Sequence, residues 1–147
     1  MDPVETTWSE VAGRLARSHD YWLATSAADG APHTVPVWGV VVSETLFLYS
    51  ERRTVKARNI GRDPRVAIHL PDPLDVVIVH GVLSDEGRPD ARPEVMTALD
   101  RKYAAARDRP YLPSADPSFD VLWSLTPTRA SLWRLADWEG SHARWRG

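Results

Sequence analysis

Four cations, Arg52, Arg53, Lys56 and Arg58, crowd the stretch that follows the apolar run Leu46–Tyr49. Thr54 sits among them, where its hydroxyl can accept a free N–H from the first turn of a helix. A helix start surrounded by cations suits a phosphate or a carboxylate. Lys56 and Arg58 are two apart and do not share a helix face. One can therefore address a ligand while the other meets solvent or an acid. The plainer reading is a solvated charged face. Upstream lies Thr34-Val35-Pro36-Val37-Trp38. In a strand Pro36 and Trp38 share one face, and Val35 and Val37 the other. An apolar wall beside a basic corner fits a flat cofactor with a phosphate tail. A core strand with proline at an edge or bulge explains the same residues.

Other chemistries find less support. The absence of cysteine excludes disulfides, thiolate metal sites and a cysteine nucleophile. His19, His33, His69, His80 and His142 show no metal-ligand spacing. His80, in a long apolar stretch, and His69 can donate to a ligand ring, although a structural histidine is the commoner case. Ser26, Ser50, Ser84 and Ser124 lack a nucleophile-elbow context. Asp72 and Asp75 flank a proline turn, which an Asx-type turn explains. No glycine-rich phosphate loop is present.

The elements that must position these residues are bounded by 147 residues, the size of one domain. Apolar residues make up 43%, enough for an ordinary core. The net charge of −2, 20 acids against 18 bases, gives no case for nucleic acid. No apolar run reaches the roughly 18 residues of a membrane span, and Met1–Leu15 lacks a signal-peptide core. The expected location is cytoplasmic.

Residues 1–18 read as a helix opened by Asp2-Pro3, with Val4, Trp8, Val11, Ala12 and Leu15 on one face. Strands are expected at Trp22–Thr25, His33–Val42, Leu46–Ser50, Arg65–Leu70, Asp75–Leu83 and Arg129–Leu135. Phe119–Leu125 is a further strand or a helical turn. Ser43-Glu44 reads as a hairpin link, and Gly81 as a bulge or a close approach. Helices are expected at Thr54–Ile60 and Pro93–Ala106. Arg107–Pro117 is an irregular lid or connector with three prolines, and 136–147 is a tail. About six strands joined by short turns favour an antiparallel barrel over a βαβ array.

The segments LATSAADGAPHTVPVWG (Leu23–Gly39), LFLYSERRTVKARNI (Leu46–Ile60), GRDPRVAIHL (Gly61–Leu70) and DVVIVHGVLSDE (Asp75–Glu86) carry a resemblance. With them the chain resembles the pyridoxamine 5'-phosphate oxidase-like FMN-binding split barrels, and within these the F420-dependent (deazaflavin) oxidoreductases of actinobacteria. The resemblance implies a mainly β fold, a split β-barrel of about six antiparallel strands in a single domain, 1–147. It implies a homodimer with the cofactor at the subunit interface. Thr34, Val35, Pro36, Val37 and Trp38 would border the ring. Ser50, Arg52, Thr54, Lys56, Arg58 and Asn59 would hold the phosphate. His80 joins the cofactor-binding set as a ring donor. The implied activity is hydride transfer from reduced F420 to a small conjugated or quinone-like acceptor, with no metal and no obligatory side-chain acid. FMN is the alternative cofactor, in an oxidase or reductase of the same fold. A binder of flavin, F420 or tetrapyrrole without turnover is the non-enzymatic alternative. Arg52, Arg53 and Arg62 would suit the longer acidic tail of F420. The Pro-rich link, or the segment near Trp138, is expected to cover the ring from the partner subunit.

Overall fold

The computed structural model describes residues 2–147. In chain order the elements are β1 (Val4–Glu5), α1 (Trp8–Ala16), β2 (Tyr21–Ser26), β3 (Pro32–Val42), β4 (Thr45–Ser50), α2 (Val55–Arg62), β5 (Arg65–His69) and β6 (Asp75–Asp85). Then follow α3 (Pro93–Lys102), β7 (Val121–Arg134), α4 (Trp138–Ser141) and β8 (Ala143–Arg146). The antiparallel strands run β7-β4-β3-β2-β5-β6 and close from β6 back onto β7, a six-stranded barrel with flanking helices. The barrel is split along β7. Its Val121–Ser124 half pairs with β4, and its Arg129–Leu132 half pairs with β8. Among the described residues no helix is long and apolar enough to cross a membrane.

Two apolar clusters explain the burial pattern. The barrel interior holds Leu23, Val37, Leu48, Ile68, Val77, Val79 and Leu132, with Val11 and Leu15 of α1 packed against it. A second cluster lies outside the barrel, where Val40, Phe47, Tyr49 and Leu122 meet Val95 and Leu99 of α3. β4 is sandwiched between the clusters, so it reads as an unbroken apolar run rather than an alternation. β2 alternates buried and half-buried residues.

Turn chemistry matches the strands it joins. Ser43 and Glu44 both adopt positive φ, 48° and 64°, the twist that a two-residue hairpin requires. Pro36 is tolerated because Pro32–Val37 pairs with β2, while β4 pairs only from Trp38 onward. That stretch of β3 is therefore an edge, as its proline suggests. Gly81 sits at a register shift in the β6–β7 ladder. A Cβ there would stand 2.4 Å from the Thr126 carbonyl oxygen, so no larger residue fits.

Three expectations are corrected. Asp2-Pro3 does not open the first helix. Val4–Glu5 pairs in parallel with β8, and α1 starts at Trp8, with the Thr7 hydroxyl accepting the Glu10 N–H. Phe119–Leu125, expected as a strand or a helical turn, and the expected strand Arg129–Leu135 are largely one 14-residue strand, Val121–Arg134. Pro127 does not break it, because the ladder passes from Gly81↔Pro127 to His80↔Arg129 and leaves Thr128 as the extra residue. The tail is ordered structure: α4 leads into β8, which pairs with β7 and β1.

Candidate functional site

α2 begins where the sequence placed a cap. The Thr54 hydroxyl accepts the Ala57 N–H at 3.4 Å and donates to the Glu51 carbonyl at 2.7 Å. This fixes Lys56 in the first turn, half-buried at the edge of a cleft of about 220 Å³. Pro36, Val37 and Trp38 form one wall of the cleft, Tyr49 and Ser50 a second, and Tyr111 and Phe119 a third. Burial lowers the Lys56 pKa from its ordinary 10.5, and the carboxylate of Glu51 opposes that shift only in part. Among the described residues Lys56 makes no hydrogen bond and no ion pair.

The aromatic wall is held from behind. The Trp38 ring stacks on Tyr103 with centroids 4.5 Å apart and planes 8° from parallel. The Tyr103 hydroxyl donates to the His19 carbonyl at 2.7 Å and accepts the Gly39 N–H at 3.1 Å. The segment after α3 is pinned by Tyr49, whose hydroxyl donates to the Tyr111 carbonyl at 2.6 Å. Burial raises the Tyr49 pKa, so that donor stays protonated. Phe119 meets the Tyr49 ring edge-on at 5.3 Å. The cleft is thus an aromatic slot with one half-buried cation at its rim, a set that fits a planar ring carrying a phosphate.

Of the residues expected in the site, Pro36, Val37, Trp38, Ser50 and Lys56 come together in this cleft, with Thr54 as the helix cap behind Lys56. The others lie elsewhere. Thr34 is exposed farther out on β3, and Val35 packs against the barrel core. Arg52 grips Asp85 with two hydrogen bonds, 2.6 and 2.9 Å, and its N–H binds Asp120. Arg58 donates to the Arg53 carbonyl. Asn59 is buried, donating to Thr25 and accepting from Arg62. His80 faces a separate recess on the outer side of β5 and β6. Tyr49, Tyr111 and Phe119 escape a sequence reading. The only local hint is the apolar pair Tyr111-Leu112 inside an otherwise polar, proline-rich link.

A closed antiparallel barrel of six strands, split along one long strand and flanked by helices, defines the pyridoxamine-phosphate-oxidase-like split-barrel class. The family profile described as pyridoxamine 5'-phosphate oxidase matches residues 7–134, and the chain belongs to that family. No functionally curated protein matches it significantly. Among solved structures it is similar to the conserved hypothetical protein Rv2991 of Mycobacterium tuberculosis. Identity there is 24%, over 91% of this chain and 88% of that one, with a TM-score of 0.74. It is similar to an F420 reductase at 26% identity, over 87% of this chain and 98% of that one, TM-score 0.66. A heme binding protein of Mycobacterium smegmatis is 25% identical over 88% of this chain but only 55% of that one, TM-score 0.66.

Proposed function

We propose that the protein is an oxidoreductase that seats a flavin-type cofactor in this cleft, FMN in the first reading, with its phosphate on Lys56 and its ring against Trp38. One observation carries the proposal: a half-buried ammonium that forms no ion pair among the described residues, beside an aromatic slot. Desolvating a cation is costly unless something neutralises it, and an incoming phosphate would do so. When bound, such a cofactor supplies hydride or electron-pair transfer to a small conjugated or quinone-like acceptor. The chain's own part is to bind and orient. Lys56 holds the tail, Pro36 and Trp38 flank the ring, and the Tyr49–Tyr111 bond holds the segment that keeps water out.

Two facts support FMN over F420. The cations that would suit a longer acidic tail are committed: Arg52 to Asp85, Arg53 to Glu51, and Arg62 to Asn59. The matching family profile is that of pyridoxamine 5'-phosphate oxidase. The second reading, an F420H2-dependent reductase, is favoured by the F420 reductase that this chain nearly spans. The cleft also bears on assembly. Its volume of about 220 Å³ falls below the roughly 300–1,000 Å³ of ordinary small-molecule sites. A second copy of the chain would complete it, as a homodimer with the cofactor at the subunit interface.

Titration of the purified protein with FMN and with F420 tests this directly. FMN binding that Lys56→Ala weakens is the expected result. Tighter binding of F420 than of FMN would overturn the first reading in favour of the second. Binding of neither would end both. Turnover with an acceptor panel then separates an enzyme from a carrier.

A further inference from the structure

His19, in the link between α1 and β2, stands between two carboxylates. Its Nδ1 lies 2.8 Å from Asp20 and its Nε2 3.0 Å from Asp108. A neutral imidazole has one N–H and one bare lone pair. It can therefore satisfy only one of two ionised acids, and its other nitrogen would face a carboxylate oxygen lone pair to lone pair. The imidazolium donates from both sides, so this geometry selects the charged ring. Partial burial pulls the His19 pKa down, but the hydrogen bonds to Asp108 and Asp20 outweigh it and leave the pKa raised above its ordinary 6.5.

The far partner is no surface acid. Asp108 is 6% exposed, and a buried carboxylate is costly unless it is paired. Its other cation, the Arg107 Nε at 3.5 Å, belongs to a side chain 81% exposed and is worth little. Asp108 also opens the turn Arg109–Tyr111, where its carbonyl accepts the Tyr111 N–H at 3.0 Å. The Tyr111 ring meets Trp38 edge-on at 6.2 Å. His19 lies edge-on to Trp38 and to Tyr103, each at 4.9 Å. One imidazole thus touches the Trp38 wall of the cleft and, through Asp108, the root of the Tyr111 wall. The other titratable neighbours are Lys102, which acts on Asp20, and Tyr21, Tyr49 and Tyr103, which the two acids influence. Burial raises the pKa of all three tyrosines, so they stay protonated near neutral pH.

We propose that His19 is a positioning residue for the Lys56 cleft. As an imidazolium it ties Asp108 to Asp20 and holds the Tyr111 wall against Trp38, and as a neutral ring it lets that wall loosen. Because the folded pKa is raised, the hold is complete below 6.5 and is lost as pH rises through the folded value. Its consequence for cofactor binding rests on the flavin reading above; its hold on the wall does not.

Amide hydrogen exchange of the purified protein, corrected for the intrinsic pH dependence of exchange, tests this from about pH 5.5 to about pH 8.5. NMR of the His19 ring gives its titration midpoint in the same sample. In wild type the protection of the Tyr111 and Leu112 amides should fall about threefold or more across that midpoint, a figure discounted for the water that reaches the ring. His19→Gln cannot carry the charge, so its protection should be flat at the wild-type high-pH level. Asp108→Asn should do the reverse. The amide it introduces can donate to a neutral Nε2 while Nδ1–H serves Asp20, so protection should be flat at the wild-type low-pH level. Lys102, its pKa lowered by burial to about 8, titrates in wild type and in Asp108→Asn alike and cannot imitate the difference. FMN affinity of wild type relative to Asp108→Asn should fall through the same midpoint. Absence of FMN binding at every pH would end the flavin reading, and the exchange data would still decide the hold on the wall. Protection indifferent to the His19 charge in wild type, or a pH dependence that survives Asp108→Asn, would overturn the proposal.

Discussion

Lys56 and Lys102 both border the outer apolar cluster, one beside Tyr49 and the other beside Tyr103. Both are drawn out of water, and burial lowers the pKa of each. Lys102 is fully answered. Its ammonium donates to the Tyr21 hydroxyl and the Gly39 carbonyl, both at 2.7 Å, and lies 4.6 Å and 5.1 Å from the Tyr21 and Tyr103 ring centroids. Lys56 has nothing comparable among the described residues. The same side chain, twice drawn partly out of water, thus serves two ends. At the α3 shelf it helps hold Trp38 and Tyr103 in place. At the α2 corner it faces an open slot. The difference lies in the neighbours: neutral oxygens satisfy one lysine, and the one acid acting on the other, Glu51, is paired with Arg53.

The largest effect should come from undermining the shelf. Leu99, 1% exposed, packs in the outer cluster with Tyr103, on which Trp38 stacks. Leu99→Ala should cost about 2–5 kcal/mol in urea unfolding. Because Trp38 and Phe119 pack against that cluster, cofactor affinity should fall with it. Full affinity in a variant that has lost such stability would uncouple the shelf from the cleft.

Lys56→Ala comes next and should do the opposite. Stability should move by less than about 0.5 kcal/mol, while cofactor binding weakens by about 1.5–3 kcal/mol through a lost charge-assisted bond. The pH dependence follows from the lowered pKa. Wild-type affinity should fall as pH rises through a range below the ordinary lysine value of 10.5. Lys56→Ala should be flat there. Fluorescence titrations across that range decide the matter, and parallel curves for the two proteins would take Lys56 out of the site.

The contrast between the two lysines also shows what the sequence could convey. The β4 run, the Thr54 cap and the cations after it are local, so the corner was legible within a dozen residues. Pairing across the fold was not. Arg52 reads as a free cation until Asp85, 33 residues on, closes on it. Tyr111 enters the cleft because the Tyr49 hydroxyl, 62 residues away, holds its carbonyl. Pro127 reads as a strand end because proline removes a ladder donor, yet a bulge carries β7 past it. Lys102 falls at helical spacing with Val95, Leu99 and Tyr103, yet nothing local tells that its ammonium meets Tyr21 and Gly39. Periodicity and caps report what a residue's neighbours in the chain require. They are silent on which distant acid or hydroxyl arrives.

Lys102→Met should have a smaller effect, and of unusual sign. The replacement leaves partners within reach of both groups. The Tyr21 hydroxyl still donates to the Leu15 carbonyl at 2.7 Å, and the Tyr103 hydroxyl, 3.0 Å from the Gly39 carbonyl, can turn its one proton there from the His19 carbonyl. Burial, opposed by Asp20, pushes the folded Lys102 pKa down to about 8 from 10.5. Below that window both states are protonated, and the folded state bears the whole cost of a buried charge. Between the two values the folded chain releases a proton that the unfolded chain keeps, so wild-type stability should rise with pH. Lys102→Met should lose that rise and be more stable than wild type at pH 7 by about 1 kcal/mol. Urea titrations at pH 7 and pH 10 would show it. A destabilised variant with the rise intact would mean that the shelf depends on the ammonium itself.

Pro36→Ala is the mildest change and the finest probe of the slot. Pro36 is exposed on the part of β3 that pairs with β2 alone, opposite Trp22, two residues before Trp38. Alanine releases φ and enlarges the unfolded ensemble, a loss of about 0.4–1 kcal/mol. No packed contact of the core is removed, so nothing larger should appear. The residue's second role is steric: a fixed ring on the cleft wall limits how a planar ligand can tilt against Trp38. Relaxing that limit should alter the absorbance spectrum of bound flavin more than it alters Tm. A spectrum identical to wild type, with stability down by several kcal/mol, would assign Pro36 to the strand framework and leave Trp38 and Tyr111 to define the slot.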